Sequence, residues 1–405
     1  MSADSAEVRH AGADVLSLAL IDARNRTLQL LSHFEGAPAD SVADATLPRW
    51  TAGHIAWLAE SWIARNPQRG LGAACPRDAV RLASIDPQAD RWYNPALATP
   101  ADRRSDAQPS LDAVRAWLLE TLETTLDLLD KAAGDDAALY FYRMALWHED
   151  LRAEQLVAHA QAIGLNVGLP LPGGAAPREP LALPATQWRL GWQGGGFAID
   201  IEGGEEAVDV PEFEIDAQPV GWSQFVEFID EGGYDRPEFW RSEGWRWLER
   251  ATALEGRRGP RHVEQIGVAS GAVLQTVFGR TTRMSGTQNV MHASWWEADA
   301  FARWAGRRLP TEVEWEIAAH AATRRGFRWG EVREWTGGTL RPWQGFVSDP
   351  WSADAELDAT TVFGQARAIR GASFATPARM RHPKARAWAL PERDDGFVGF
   401  RTCAL

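Results

Sequence analysis

The sequence changes character at a stretch rich in proline and glycine, and this change constrains the fold more than any other feature. The stretch covers residues 168–184 and reads GLPLPGGAAPREPLALP. Such a composition is typical of a linker. Before it, apolar residues recur at helical spacing, and after it the segments are short, alternating and punctuated by glycine. The sequence therefore predicts two domains of different classes, residues 1–165 and 187–405, joined by a linker over residues 166–186.

Four amphipathic segments in the first half predict four helices. They cover residues 14–34, residues 51–66, a segment from an N-cap at Ser110 to about Lys131, and residues 137–163. The connection over residues 70–109 is long. Four helices with one long connection predict a four-helix bundle, a form that builds metal sites from side chains on facing helices.

The fourth predicted helix carries half of a metal site. His148 and Arg152 lie four residues apart, so they share one helix face, as two ligands of one ion would. An arginine cannot ligate a metal, because its guanidinium stays protonated and offers only donors. His54 on the second helix is a partner for His148, which leaves the third ligand position open. The alternative is that both histidines are structural residues of the bundle.

Composition disfavours several classes of partner. With 42 basic against 55 acidic residues and a net charge of −13, the chain is not expected to bind nucleic acid or an anionic membrane. The first residues lack the apolar segment of a signal peptide, and no apolar run reaches membrane-spanning length, so we expect a cytoplasmic protein. The two cysteines, Cys75 and Cys403, lie in different halves, which argues against a disulfide framework.

The second half reads as a mixed α+β domain with much irregular structure, and it contains a long and specific motif. Residues 293–319 read ASWWEADAFARWAGRRLPTEVEWEIAA. This run resembles the signature segment of the formylglycine-generating-enzyme/sulfatase-modifying-factor fold. Further segments support the resemblance, namely residues 213–216, 222–234, 333–336, 370–374 and 399–401. The resemblance implies a C-terminal domain of this C-type-lectin-like fold.

A DinB-like four-helix bundle followed by such a domain is similar to the ergothioneine sulfoxide synthases and their selenoneine synthase relatives. The resemblance covers nearly the whole chain. It implies a non-haem Fe(II) on three histidines, one from the second bundle helix and two from an HxxxHxE motif on the fourth. By position these are His54, His148 and the place of Arg152, with Glu154 as the trailing acid. Two of the implied ligands are present and one is replaced.

The resemblance also implies the substrate, hercynine, a histidine betaine whose trimethylammonium group is held near the C-terminus of these enzymes. Trp388 matches an aromatic position there, and tryptophan is the best ring for a cation. Leu151 stands near the imidazole, where relatives use a polar residue, and Arg152 is a candidate for pairing with a substrate carboxylate. Trp343, which stands where the sulfoxide synthases have a proton-donating tyrosine, is a further candidate for binding the substrate.

The predicted function is the iron- and O2-dependent joining of selenium or sulfur to the imidazole C2 of hercynine. Residues 83–104 keep Trp92 and Tyr93 but lack the arginine spacing that relatives use for the carboxylates of glutamylcysteine, which favours a selenosugar donor. The alternatives are an ergothioneine sulfoxide synthase that uses a cysteine-type thiol, and an iron-free betaine-binding or structural paralogue. Formylglycine generation is disfavoured, because in the related fold it uses a cysteine pair for copper.

Overall fold

The computed structural model describes residues 2–36, 46–267 and 271–405. Each of the four helices predicted in the first half is present. In chain order, the helices of this half are α1 (Ala13–His33), α2 (Pro48–Ala59), a short α3 (Ala89–Tyr93) in the long connection, α4 (Leu111–Leu129) and α5 (Asp136–Ala162). No helix in the described part of the chain is both long enough and apolar enough to cross a membrane.

Local sequence sets the ends of these helices. The Ser110 hydroxyl accepts a hydrogen bond from the amide of Ala113 at 3.2 Å, so the predicted N-cap of α4 is confirmed. Helix α2 begins at Pro48, earlier than predicted, because proline in the first turn loses no hydrogen bond and has the helical φ already. Its last turn widens into a π-helical turn over Glu60–Ala64.

Helix α5 is the centre of the first half. It packs against α1 and α2, and these two helices also pack against α4. Side chains on nearly all sides of α5 are buried, because the second half of the chain covers the faces that the other helices leave open. The helix therefore contributes residues both to the bundle core and to the contact between the halves.

The second half is a mixture of short strands and helices, as its sequence predicted. The strands in chain order are β1 (Leu181–Leu183), β2 (Thr186–Leu190), β3 (Glu206–Val210), β4 (Phe213–Ile215), β5 (Val263–Gly267), β6 (Ala272–Val277), β7 (Arg280–Met284), β8 (Arg333–Thr339), β9 (Arg367–Arg370), β10 (Arg386–Ala389) and β11 (Val398–Phe400). Strand β1 pairs with β4 and β2 with β3. The other sheets have the orders β5-β6-β7 and β10-β9-β8-β11. Only the β8–β11 pairing is parallel among these described strands.

The signature run of residues 293–319 forms two helices that begin with the same device. The helices of this half are α6 (Trp222–Asp230), α7 (Ser242–Glu255), α8 (Trp295–Trp304) and α9 (Glu312–Ala321). Ser294 and Glu297 form a capping box at the start of α8, and Thr311 and Glu314 form one at the start of α9. Each box satisfies amide groups that a helix start otherwise leaves unpaired.

Strand β1 lies inside the predicted linker, residues 166–186. Its residues pair in antiparallel register with β4, and Leu183 lies opposite Phe213. The stretch between α5 and β1 without helix or strand is therefore shorter than the linker predicted from composition, and covers residues 163–180. The sequence analysis did not predict this strand, because prolines flank it on both sides. The division into two domains stays a prediction.

A buried ion pair joins α5 to the second half. The carboxylate of Glu154 accepts hydrogen bonds from Arg333 Nε at 2.9 Å and Nη2 at 2.7 Å. It also accepts from the hydroxyls of Ser373 at 2.8 Å and Thr376 at 2.9 Å. These four hydrogen bonds all come from the second half, so the acid acts as a structural clamp between the halves.

We expect Glu154→Ala to lower the free energy of unfolding by about 3–5 kcal/mol, because it leaves the buried guanidinium of Arg333 without a counter-charge. Urea denaturation measures this change. The control is Arg189→Ala, which removes the exposed pair between Arg189 and Glu205 and should change stability little. Equal losses in the two variants would contradict the assignment of Glu154 as a clamp.

A second polar contact between the halves contains two buried acids. Asp349 accepts a hydrogen bond from the hydroxyl of Tyr140 on α5 at 2.5 Å and from the Asp200 amide at 2.8 Å. Asp200 in turn accepts one from the Asp349 amide at 3.2 Å. Burial and the nearby Asp200 carboxylate raise the pKa of Asp349 to about 7. Burial raises the pKa of Asp200 to about 6.

These raised pKa values make stability depend on pH. Between pH 3.8 and about 7 the folded protein holds a proton on Asp349 that the unfolded chain has released. The stabilisation that comes from protonated Asp349 is therefore fully present below this interval, and it is lost as the pH rises through the interval. Asp349→Asn cannot titrate, so the free energy of unfolding of the wild type should fall more steeply with pH than that of the variant. Parallel pH profiles in denaturant titrations would show that Asp349 is not the source.

Candidate functional site

The two histidines predicted as metal ligands lie side by side. His54 is on α2 and His148 on α5, and both are buried. Their imidazole rings meet edge to face, with centroids 5.2 Å apart. The contact follows from the direct packing of α2 on α5. The structure thus brings together the pair that helical spacing selected, and their role as ligands stays a prediction.

His54 is held between two indole rings. Its ring stacks on Trp50 at 4.9 Å and on Trp57 at 5.7 Å, with interplanar angles of 8° and 20°. Its Nδ1 lies 2.9 Å from the carbonyl oxygen of Tyr93, and since a carbonyl only accepts, the proton is on Nδ1. The Nε2 atom is buried and has no hydrogen-bond partner among the described residues. Burial holds the pKa of His54 well below its usual value, so Nε2 presents a lone pair.

Arg152 covers the corresponding nitrogen of His148. Its Nε donates a hydrogen bond to His148 Nε2 at 3.1 Å. The rest of the guanidinium donates to Gln155 Oε1 at 2.9 Å, to the carbonyl of Ala355 at 2.8 Å and to Glu356 Oε2 at 3.3 Å. Burial and the charge of Arg152 hold the pKa of His148 well below its usual value. His148 is therefore neutral and accepts with the lone pair that a metal would need.

The histidine pair fits two positions of a metal site under one condition. In the part of the chain that the structure describes, no group of three or more histidine, cysteine or acidic side chains is placed to hold a metal. His54, neutral and with an unpartnered Nε2, fits a metal ligand. His148 fits once the guanidinium of Arg152 leaves its Nε2, because one lone pair cannot serve both. Glu154, the trailing acid of the motif, is held by Arg333 and does not complete the site.

A cleft of about 600 Å³ lies beside the pair, between the two halves. Its wall on the bundle side includes Trp50, Thr51 and Arg152, and the opposite wall includes Arg261 and residues 392–395. The cleft thus touches residues that contact both histidines. Its volume and its place at the contact of two structural units are those of many small-molecule sites, although its lining is more highly charged than is usual for such sites.

The other predicted substrate residues lie outside the described lining of this cleft. Leu151 is half-buried on α5. The ring of Trp343 already carries a cation, since the guanidinium carbon of Arg386 lies 3.8 Å from its centre. Trp388 is half-buried in β10, and no ring or cation contact to it is found in the described part of the chain. Of the two tryptophans, only Trp343 has a cation over its ring in the described structure.

Sequence reasoning missed three parts of the site. Trp50 lies four residues before His54, so helical spacing could have identified it. The carbonyl of Tyr93 and the carboxylate of Glu356 come from distant segments of the chain. No local pattern marks them, because their role depends on how the long connection and the second half dock onto α2 and α5.

Comparisons with known proteins agree with this architecture. Residues 182–331 match the model of the sulfatase-modifying factor enzyme 1-like domain. The chain is 31% identical over 341 residues to the hercynine oxygenase of Mycolicibacterium smegmatis, a match that covers 79% of this chain and 72% of that protein. It is 28% identical over 332 residues to the hercynine oxygenase of Mycobacterium tuberculosis, covering 78% and 72%. The formylglycine-generating enzyme of Streptomyces coelicolor is 32% identical over 183 residues, covering 41% of this chain and 58% of that enzyme.

The structure defines a protein in which a helical bundle is joined to a mixed helix and sheet region of the sulfatase-modifying-factor type. The extent of its similarity to the M. smegmatis protein shows that the chain belongs to the hercynine oxygenase family. The resemblance to the ergothioneine sulfoxide synthases is thereby confirmed at the level of the family, as is the prediction of an oxidoreductase.

Gly53, next to His54, lets the Tyr93 ring lie directly on α2. A Cβ at this position would lie 2.1 Å from Tyr93 Cε1. We expect Gly53→Ala to displace Tyr93 from His54 and to lower the free energy of unfolding by about 1–3 kcal/mol, the usual effect of overpacking. Denaturant unfolding and the NMR signal of the His54 Nδ1–H report the two effects. Gly70→Ala is the control, because a Cβ there meets nothing within 4 Å; similar behaviour of both variants would contradict this account.

Proposed function

We propose that the protein is an enzyme of the hercynine oxygenase type that joins a chalcogen atom to the imidazole C2 of hercynine with O2 as oxidant. The observation that carries this proposal is the buried, unpartnered Nε2 of His54, which lies beside His148 next to the cleft between the halves. Two neutral imidazoles near open space suit a metal that also binds substrates. The named activity of the similar M. smegmatis and M. tuberculosis proteins supports the choice of substrate.

The proposed cofactor is Fe(II), held by His54 and His148 with Arg152 displaced. Iron at a site with open positions supplies the binding of O2 and substrate at one centre. The chain's own residues prepare this site. Trp50 fixes the plane of the His54 ring by stacking, and the Tyr93 carbonyl holds its proton on Nδ1, so that Nε2 is presented as the ligand atom.

The proposal assigns the substrate groups to three side chains. Trp388, whose ring has no cation on it in the described structure, is proposed to receive the trimethylammonium group. Arg152, once released from His148, is proposed to pair with the substrate carboxylate from the wall of the cleft. Leu151 is proposed to pack near the imidazole. Trp343 is a weaker candidate, because Arg386 occupies its ring.

The domain limits are part of the proposal. Residues 1–165 would form a bundle of the DinB type and residues 187–405 the second domain, with the active site between them. The packing of α1, α2, α4 and α5 against one another supports this division.

A selenosugar is the proposed donor. Two arginines of the long connection have internal partners, which leaves them poorly placed for the carboxylates of a peptide thiol. The guanidinium of Arg91 lies over the ring of Trp92 at 5.0 Å, and Arg103 pairs with Glu356. A cysteine-type thiol, as in an ergothioneine sulfoxide synthase, is the alternative donor.

A second candidate function is that of an iron-free protein that binds a betaine. The contact between Arg152 and His148 favours it, because the guanidinium already supplies a positive charge where a metal would bind. Formylglycine generation gains no support, since Cys75 and Cys403 are both free and buried, in separate halves of the chain.

The first experiment reconstitutes the protein with Fe(II) under anaerobic conditions and measures bound iron, followed by addition of hercynine, O2 and either a selenosugar or cysteine. We expect near-stoichiometric iron and a C2-substituted imidazole product in the wild type, and loss of both in His148→Ala. His159→Ala is the control for metal content, because His159 lines the same cleft but is not part of the histidine pair.

Two outcomes would contradict the enzyme proposal. Iron retained in His148→Ala would place the metal elsewhere. No iron in the wild type together with iron gained by Arg152→His would favour the betaine-binding alternative, because it would mean that the arginine at this position prevents iron from binding.

A further inference from the structure

The guanidinium of Arg152 is held against His148 by hydrogen bonds to four acceptors. Besides His148 Nε2, it donates to Gln155, to the carbonyl of Ala355 and to the carboxylate of Glu356. The arginine is buried, and Glu356 is its ion-pair partner among the described residues. Burial lowers the pKa of Arg152, and the charge of Glu356 opposes this shift. The buried position of the guanidinium therefore depends on this one carboxylate.

Glu356 occupies an unusual backbone position. Its φ angle is 58°, in the left-handed region that residues other than glycine seldom adopt. The turn is closed by the Glu356 amide, which donates to the carbonyl of Ala353 at 3.0 Å. The carboxylate bridges Arg152 and Arg103, and Arg103 in turn lies over the Trp50 ring at 4.4 Å. Such a conformation persists where surrounding contacts hold it, so the turn presents Glu356 to both arginines.

We propose that Glu356 is a positioning residue that holds Arg152 on His148 Nε2 and thereby keeps divalent metal off the histidine pair until the ion pair opens. The inference rests on the proposed function for the identity of the pair as a metal site. A guanidinium and a metal ion exclude each other here, because they compete for one lone pair and repel each other. The Arg152 side chain has space to move into the cleft when it leaves His148, because it forms part of the cleft wall.

The direction in which one substitution changes the metal affinity distinguishes this arrangement from a simple electrostatic effect of the carboxylate. Removing a carboxylate from the surroundings of a cation site normally weakens metal binding, because it removes a favourable charge. Removing the Glu356 carboxylate should do the opposite, since the buried guanidinium loses its counter-charge and the position on His148 becomes unfavourable. Glu392 provides the matched comparison: it is exposed and lines the same cleft, and no partner to it is found in the described part of the chain.

The test is the affinity for Co(II) alone, without substrate or donor, measured by its visible absorption in the wild type and in single variants. We expect Glu356→Gln to bind Co(II) about tenfold more tightly than the wild type, within the range by which residues around a metal ligand change affinity. Arg152→Met should bind at least as tightly as Glu356→Gln. Glu392→Gln should bind no more tightly than the wild type. Thermal unfolding checks that each variant is folded.

The double variant Arg152→Met/Glu356→Gln tests whether the carboxylate acts through the arginine. If it does, Glu356→Gln adds no affinity once Arg152 is absent. Equal Co(II) affinity in the wild type and Glu356→Gln would overturn the proposal, as would a gain from Glu356→Gln that persists in the Arg152→Met background. Absence of binding in all variants would also overturn it. Should Arg152→Met fail to fold, the opposite signs expected for Glu356→Gln and Glu392→Gln decide the question.

Failure of this inference can be told apart from failure of the proposed function. If the expected order of Co(II) affinities is found but no variant converts hercynine, Glu356 controls the metal site and the proposed reaction is wrong. If hercynine is converted while affinity does not respond to Glu356→Gln, the proposed reaction holds and Glu356 has no part in metal access.

Discussion

Two acids buried on α5, Asp150 and Glu154, have ion-pair partners in the second half, and the docking of the two halves depends on these pairs. Glu154 is bound by Arg333, and four residues earlier, one helical turn before it, Asp150 accepts from Arg379 Nε at 2.6 Å and Nη2 at 2.8 Å. An unpaired charge in the interior is strongly unfavourable, and bidentate pairs also fix geometry. The halves can therefore dock in few ways. This fixed docking gives the cleft its walls and brings the turn with Glu356 over Arg152.

The two histidines of the site differ in whether the lone pair on Nε2 is free or covered. His54 is neutral, oriented by stacking and by a carbonyl, and presents a lone pair. His148, next to it, has the same lone pair covered by Arg152. A buried lone pair without a partner is unfavourable in a protein interior, so His54 Nε2 is an atom whose free energy a hydrogen-bond donor or a metal ion would lower. The two histidines therefore lie together, and Arg152 covers Nε2 of only one of them.

Much of the first half could be read from its sequence. Helical spacing located α1, α4 and α5 to within a few residues, identified the Ser110 cap and paired His54 with His148, because each of these depends on neighbours in sequence. Strand β1 was missed, since the prolines around it gave the segment the composition of a linker. The sequence could not predict contacts between distant segments. Examples are the ion pair of Glu356 with Arg152 and the contact of the Arg386 guanidinium with the ring of Trp343. Nothing near those residues in sequence marks them as partners.

The clamp made by Glu154 also bears on how this kind of chain can be rearranged. A proline-rich connection between two halves suggests that each half could be exchanged or produced separately. Yet a second half produced alone would expose an arginine whose counter-charge belongs to α5, and a bundle produced alone would expose the matching acid. An exchange of halves between relatives would have to preserve both members of each ion pair. We therefore expect the two halves to unfold as one cooperative unit, despite the flexible composition of the segment between them.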